Sequence, residues 1–117
     1  MGLVRANGNE ELITPSVDMY ESPGSFVVSV DMPGSWKDGI RITVESGILA
    51  VKGTIRSIHR EQAESHEKHR VTLHYYRAFQ LSDELDASRT EAEFSDGVLT
   101  LIIPKKETHV VREIQIQ

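Results

Sequence analysis

Four histidines lie within sixteen residues: His59, His66, His69 and His74. Imidazole is a common metal ligand, so this cluster could bind a metal ion such as zinc. A zinc site needs ligands that converge at about 2 Å, with further groups that orient each ring, and this spacing matches no compact site. The segment "HEKH" at 66–69 is also one residue short of the metalloprotease motif H-E-x-x-H. We therefore predict solvated histidines on a loop and no metal site.

Other catalytic chemistry finds equally little support in the sequence. There is no cysteine, which excludes thiol catalysis and disulfides. No G-x-S-x-G elbow marks a nucleophilic serine, and no glycine run precedes a Lys-Ser or Lys-Thr pair that could bind phosphates. We expect no catalytic residue and no cofactor, so the chain is not expected to be an enzyme.

Composition narrows the class of protein and its partners. The chain has 117 residues, enough for one domain with a buried core. Its net charge is −5 and its 13 Lys and Arg are scattered, so nucleic acid is not expected as a partner. No stretch approaches the roughly 20 apolar residues of a membrane span. The lack of cysteine favours a reducing compartment, and we expect a cytoplasmic protein.

The elements that would position any site follow a period of two. Phe26, Val28 and Val30 share one face of "SFVVSV", and "GIRITV" repeats the pattern. Turn residues separate such segments in "SPGS", "DMPGS", "ESG" and "SDG". Further strands are predicted at 16–21, 48–53, 75–81, 90–94 and 98–104. Short strands at regular spacing predict an all-β, immunoglobulin-like antiparallel β-sandwich of seven to nine strands.

The segment "RSIHREQAESHEKHR" at 56–70 differs from the rest. Its Glu, Gln, Ala and Lys content alone would favour a helix, but it has no apolar stripe by which a helix could dock. We predict a long exposed loop that can hold a short strand.

Arg77 stands in an otherwise apolar row. In "YYRAFQL" one strand face carries Tyr75, Arg77, Phe79 and Leu81. A surface arginine could extend its guanidinium to water over this row. A buried one would have to be paired or saturated with acceptors, because it cannot lose its charge.

These segments resemble, in order, the α-crystallin domain of the small heat-shock proteins. The similar stretches are "PSVDMYESPGSFVVSVDMPG" (15–34), "IRITVESGILAVKG" (40–53), "YRAFQLSDELD" (76–86), "AEFSDGVLTLIIPK" (92–105) and the terminal "IQI" (114–116). The resemblance implies a short N-terminal arm (1–14), an α-crystallin domain (15–106) and a C-terminal tail (107–117). Within the domain, it implies that a long loop (56–72) carries a strand exchanged between subunits.

The resemblance also implies a function and site residues. The function would be that of an ATP-independent chaperone, or holdase, whose partners are partly unfolded client proteins and further copies of itself. Ile114 and Ile116 would form an oligomerisation tail, and Arg77 would lie at or near the dimer interface. The groove that receives the tail would be lined by Ile40, Ile42, Val44, Thr90, Ala92 and Phe94. The alternative is a p23-like β-sandwich co-chaperone or adaptor, which docks on other chaperones and does not bind clients broadly.

Overall fold

Alternating apolar residues build strands along almost the whole described chain. The computed structural model describes residues 3–7, 9–61, 68–107 and 113–117. These ranges contain nine strands: β1 (Leu3–Asn7), β2 (Glu10–Ile13), β3 (Val17–Glu21), β4 (Ser25–Asp31), β5 (Ile40–Glu45), β6 (Ile48–Glu61), β7 (Lys68–Gln80), β8 (Glu91–Ser95) and β9 (Val98–Pro104). Short 3₁₀ turns, Lys37–Gly39 and Ala87–Arg89, precede β5 and β8.

The strands form two sheets, in the orders β1-β2-β7-β6-β5 and β3-β4-β9-β8. Neighbouring strands are antiparallel except β2 and β7, which are parallel. The predicted all-β sandwich is confirmed. In the part of the chain that the structure describes, no helix has the length and apolar character needed to cross a membrane.

Two hairpins use the turn residues that their geometry requires. Ser46 and Gly47 have φ of 50° and 77°, and Asp96 and Gly97 have φ of 52° and 79°. Two consecutive positive φ angles characterise the two-residue turns that match the twist of antiparallel strands. They join β5 to β6 and β8 to β9, which fixes the register of both pairs.

The core lies between the sheets and is built from every second residue of the central strands. Its fully buried side chains include Val28, Val30, Met32, Leu49, Val51, Leu99, Leu101 and Ile103. Tyr75 joins this cluster, and its hydroxyl donates a hydrogen bond of 2.8 Å to the carbonyl oxygen of Pro33.

The predicted loop over 56–72 differs in the structure. Residues 56–61 continue β6 and residues 68–72 begin β7, in a long antiparallel hairpin whose last described pair is Glu61 with Lys68. The register of this pairing shifts once, between Thr54 and Arg56. Backbone hydrogen bonds therefore form strand here, although the side chains lack a clear apolar period. Residues 62–67, with His66, lie outside the described residues.

The N-terminal segment also departs from a simple arm. β1 and β2 form an antiparallel hairpin, and β2 pairs in parallel with β7 from Glu10↔Thr72 to Ile13↔Tyr75. These four residues extend the sheet edge, because β7 offers them a row of backbone donors and acceptors. The sequence pattern did not predict either strand.

Candidate functional site

An apolar groove opens between the edge strands of the two sheets, β5 and β8. It encloses about 180 Å³ and is lined by Lys37, Ile40, Ile42, Ala92, Phe94 and Leu99. Leu99 belongs to the buried core, whereas Ala92 is exposed. The groove is thus apolar with one lysine among its lining residues, a surface that suits aliphatic side chains of an extended segment.

Four of the six residues proposed for the groove come together there. Val44 does not line it: this residue lies one position before the end of β5 and is 44% exposed. Thr90 precedes β8, and its hydroxyl donates a 2.8 Å hydrogen bond to the carbonyl oxygen of Ala87. Leu99 and Lys37 were missed, although the alternation of "VLTLIIP" could have identified Leu99 as an inward residue.

The tail residues are described, and they stand apart from the groove. Ile114 and Ile116 are 87% and 99% exposed, and residues 113–117 have no regular secondary structure. The tail is therefore not seated in its own groove in this structure. Two exposed isoleucines leave a large apolar surface in water, which favours burial against another surface.

Arg77 is half-buried on the inner row of β7, beside Tyr75 and Phe79. The carbon of its guanidinium lies 5.6 Å from the centre of the Phe79 ring, within the range of a cation–π contact. No carboxylate of the described residues forms an ion pair with it. Within one chain, Arg77 is thus held by an aromatic face and is not saturated with acceptors.

A second, larger cavity of about 400 Å³ is lined in part by Phe79, whose ring Arg77 contacts. Its apolar lining residues are Met19, Phe26, Phe79, Leu81 and Leu85. Met19 on the edge strand β3 is 49% exposed, so the cavity opens where β3 has no described partner on its outer side. Residues from β3, β4, β7 and the following loop combine here, and no local sequence signal could have brought them together.

His74 corrects the prediction of solvated histidines, because it is buried on β7 and only 7% exposed. Its Nε2 lies 3.2 Å from Oε1 of Glu10, and its Nδ1 lies 3.0 Å from the hydroxyl oxygen of Thr54. Burial, with the charge of Lys52, lowers the pKa of His74, although Glu10 opposes this shift. His74 lies opposite Leu12 of β2 in the register, and the sequence could not reveal this pairing between distant segments.

The other two histidines of the described residues, His59 and His69, lie on different strands. His59 is exposed and is paired in register with Arg70 on β7, whereas His69 is paired with Arg60. Within residues 3–7, 9–61, 68–107 and 113–117, no three His, Asp or Glu side chains are grouped so that they could hold a metal ion.

Comparisons with a family model and with individual known proteins indicate the same family. The model of the Hsp20/alpha crystallin family matches residues 18–117. Small heat shock protein C4 of Rickettsia felis is 29% identical over 109 residues, which is 92% of this chain and 67% of that protein. Heat shock protein 16 of Schizosaccharomyces pombe is 31% identical over 98 residues, covering 81% of this chain and 68% of the relative.

Solved structures agree with the sequence matches. The crystal structure of a small heat-shock protein from Xylella fastidiosa superimposes with a TM-score of 0.64 at 32% identity, over 90% of this chain and 97% of that one. The family match covers most of the chain, and the sandwich fold and the relatives agree with it. The chain belongs to the Hsp20/alpha crystallin family of small heat-shock proteins.

Proposed function

We propose that this chain is an ATP-independent chaperone, a holdase that binds partly unfolded proteins in the cytoplasm and keeps them from aggregating. Partly unfolded chains expose apolar segments, and a protein that covers these segments transiently keeps its clients refoldable. The observation that carries the proposal is the open apolar groove between β5 and β8 on a domain of this family. Binding of this kind needs shape and apolar surface and no reacting group.

Assembly is proposed to use the same groove. Ile114 and Ile116 are two residues apart, so in an extended segment both side chains point to one side. The residues from Pro104 to Glu113 span about 30 Å when extended, enough to reach a neighbouring copy. Each buried isoleucine would contribute at most about 1.5–3 kcal/mol before ordering costs, so a single tail contact is weak and exchangeable. Several such contacts reinforce one another in an oligomer.

The dimer is proposed to form near Arg77 and the cavity of about 400 Å³. The outer side of β3 has no described strand partner, so it can accept the exchanged strand that the resemblance implies for the 56–72 segment. Phe79 lines the cavity, and the guanidinium of Arg77 contacts the ring of Phe79. A partner chain could then supply the acceptors that the described residues do not give to Arg77.

The test of the holdase function is light scattering of a heat-labile client with increasing amounts of this chain, with and without ATP. We expect suppression that does not depend on nucleotide. The matched variant Ala92→Glu puts a charge in the groove at an exposed position. It should therefore keep the fold and weaken either the assembly of the chain or its binding of the client. Unchanged scattering at a several-fold excess of chain would contradict the holdase and favour the p23-like adaptor. Specific binding to another chaperone would then be the activity to measure.

A further inference from the structure

The edge of β7 binds β2, a short segment of the same chain, in the way that a sheet edge binds a peptide. β2 contributes only four residues, which pair in parallel with Thr72–Tyr75 of β7. The amide of Thr72 donates a 2.9 Å hydrogen bond to the carbonyl oxygen of Asn9, just before β2. A short extended segment added to a sheet edge is the geometry of peptide recognition by strand addition.

Cations flank this edge on both faces of the sheet. On one face, the ammonium Nζ of Lys52 lies 3.1 Å from Oε1 of Glu10, and Nε2 of the buried His74, whose pKa is lowered by burial, lies 3.2 Å from the same oxygen. Successive residues of a strand point to opposite faces, so the next carboxylate, Glu11, lies on the other face. There Glu11 is only 2% exposed and forms an ion pair with Arg60. Each of the two consecutive acidic residues, Glu10 and Glu11, thus forms an ion pair with a basic side chain.

The two following residues supply apolar contact. Leu12 is half-buried and lies opposite His74 in the register, and Ile13 packs against the core cluster beside Tyr75. The edge therefore fits an extended segment with two acidic residues followed by two aliphatic ones. The sequence "EELI" of β2 has this pattern.

We propose that the edge of β7 over Thr72–Tyr75, with Lys52, Arg60 and His74, is a binding site for extended acidic–aliphatic segments of partly unfolded proteins. The chain's own β2 occupies this site as a tethered competitor. The inference rests on the proposed function, because its ligand is a client segment, but it concerns a site separate from the groove between β5 and β8. Charge complementarity selects this ligand, because Lys52 on one face and Arg60 on the other each pair with one acidic residue of the segment.

Competition follows from the tether. A segment joined to the same chain has a high effective concentration, so β2 shields the edge from weak ligands. A client segment with the same pattern must displace β2, and any change that loosens β2 raises the apparent affinity of the edge for a free peptide.

The test uses the full chain and a labelled nine-residue peptide that copies residues 7–15, with a matched peptide in which lysine replaces both glutamates. The receiving variant carries Glu10→Lys with Glu11→Lys, so its own segment is repelled by Lys52 and Arg60. We expect this variant to bind the acidic peptide at least about tenfold more tightly than the wild type, since the tethered competitor is lost. The reversed variant, Lys52→Glu with Arg60→Glu in a chain that keeps Glu10 and Glu11, also repels its own β2 and should bind the lysine peptide in place of the acidic one.

The charge-reversed variants could misfold, and circular dichroism would detect this. A second way to release β2, which leaves the charges unchanged, keeps the test valid in that case. Leu12→Ser with Ile13→Ser loosens β2 without changing charge, and hydrogen exchange at the Thr72 amide reports its release. Equal affinity of the loosened chains for both peptides, or no gain over the wild type, would overturn the proposal. Aggregation is measured separately: suppression without peptide binding refutes only this site, whereas peptide binding without suppression supports the site and refutes the holdase.

Discussion

Ile42 on β5 and Phe94 on β8 belong to different sheets, and their side chains line one groove. The two strands are the last of their sheets, so the groove exists only because the sandwich is open at this edge. The same chain carries two exposed isoleucines near its end, Ile114 and Ile116. Their chemistry fits the groove, and this match motivates the first prediction.

The double substitution Ile114→Ala with Ile116→Ala should shift the sedimentation profile from larger species towards dimers. Each isoleucine loses most of its apolar contact, about 1.5–3 kcal/mol at most, so association should weaken by a factor of ten or more. The melting temperature of the dimer should hardly change, because both side chains are exposed within one chain. Gln115→Ala is the matched control, since residue 115 points to the other side of an extended tail. If mutant and wild type give identical sedimentation profiles at concentrations where the wild type forms species larger than a dimer, the proposed binding of the two isoleucines in the groove is refuted.

The resemblance to the α-crystallin domain anticipated four of the six groove residues, and the reasons for the two exceptions are physical. Ile40, Ile42, Ala92 and Phe94 lie on strands with clear alternation, so their shared direction is a local property. Val44 has the same parity as Ile42, yet it lies at the end of β5, where burial depends on the opposite sheet. The position of His74 and the pairing of β2 depend on contacts between distant segments, which no local pattern encodes.

The substitution Arg77→Gly should destabilise one chain by about 1 kcal/mol, the scale of a cation–π contact with some packing. A fully buried and saturated arginine would cost about 3–5 kcal/mol, and the contact with Phe79 alone does not reach that value. The dimer should weaken more than the fold does if the partner supplies acceptors. Urea denaturation with sedimentation separates the two effects, and Arg77→Lys keeps the charge as a control. A dimer as stable as the wild type would remove Arg77 from the interface.

Tyr75→Phe should lower the free energy of unfolding by about 0.5–1.5 kcal/mol, because the 2.8 Å hydrogen bond to the Pro33 carbonyl is lost. Tyr76→Phe is the control on the same strand, since Tyr76 is 39% exposed and points to the other face. Urea titrations of both variants give the comparison. Equal stabilities for the two variants would show that the Tyr75 hydroxyl contributes nothing.

Acid should loosen the packing of β2 on β7. Burial lowers the pKa of His74 below its ordinary 6.5, so the folded chain binds fewer protons there than the unfolded chain. Stability from this group is present above pH 6.5 and is lost as pH falls below it. The hydrogen bond from Lys52 lowers the pKa of Glu10 below 4.5, and this contribution is lost at still lower pH.

Hydrogen exchange at the Thr72 amide, followed from pH 7.5 to 5.5 and corrected for intrinsic rates, measures this effect. Protection should fall with pH in the wild type and change less in His74→Gln, which cannot gain a proton. Protection that rises on acidification would mean that the ion pair of His74 with Glu10 outweighs its burial.

The most direct test of the chaperone function is whether a heated client remains in solution in a complex with this chain. A heat-labile client is heated with and without the chain in the absence of nucleotide, and the soluble fraction is separated by size. A large soluble species that contains both proteins, and that Ala92→Glu or the tail variant alters, is the expected result. A client that pellets completely while this chain stays unbound in solution would contradict the function proposed for it.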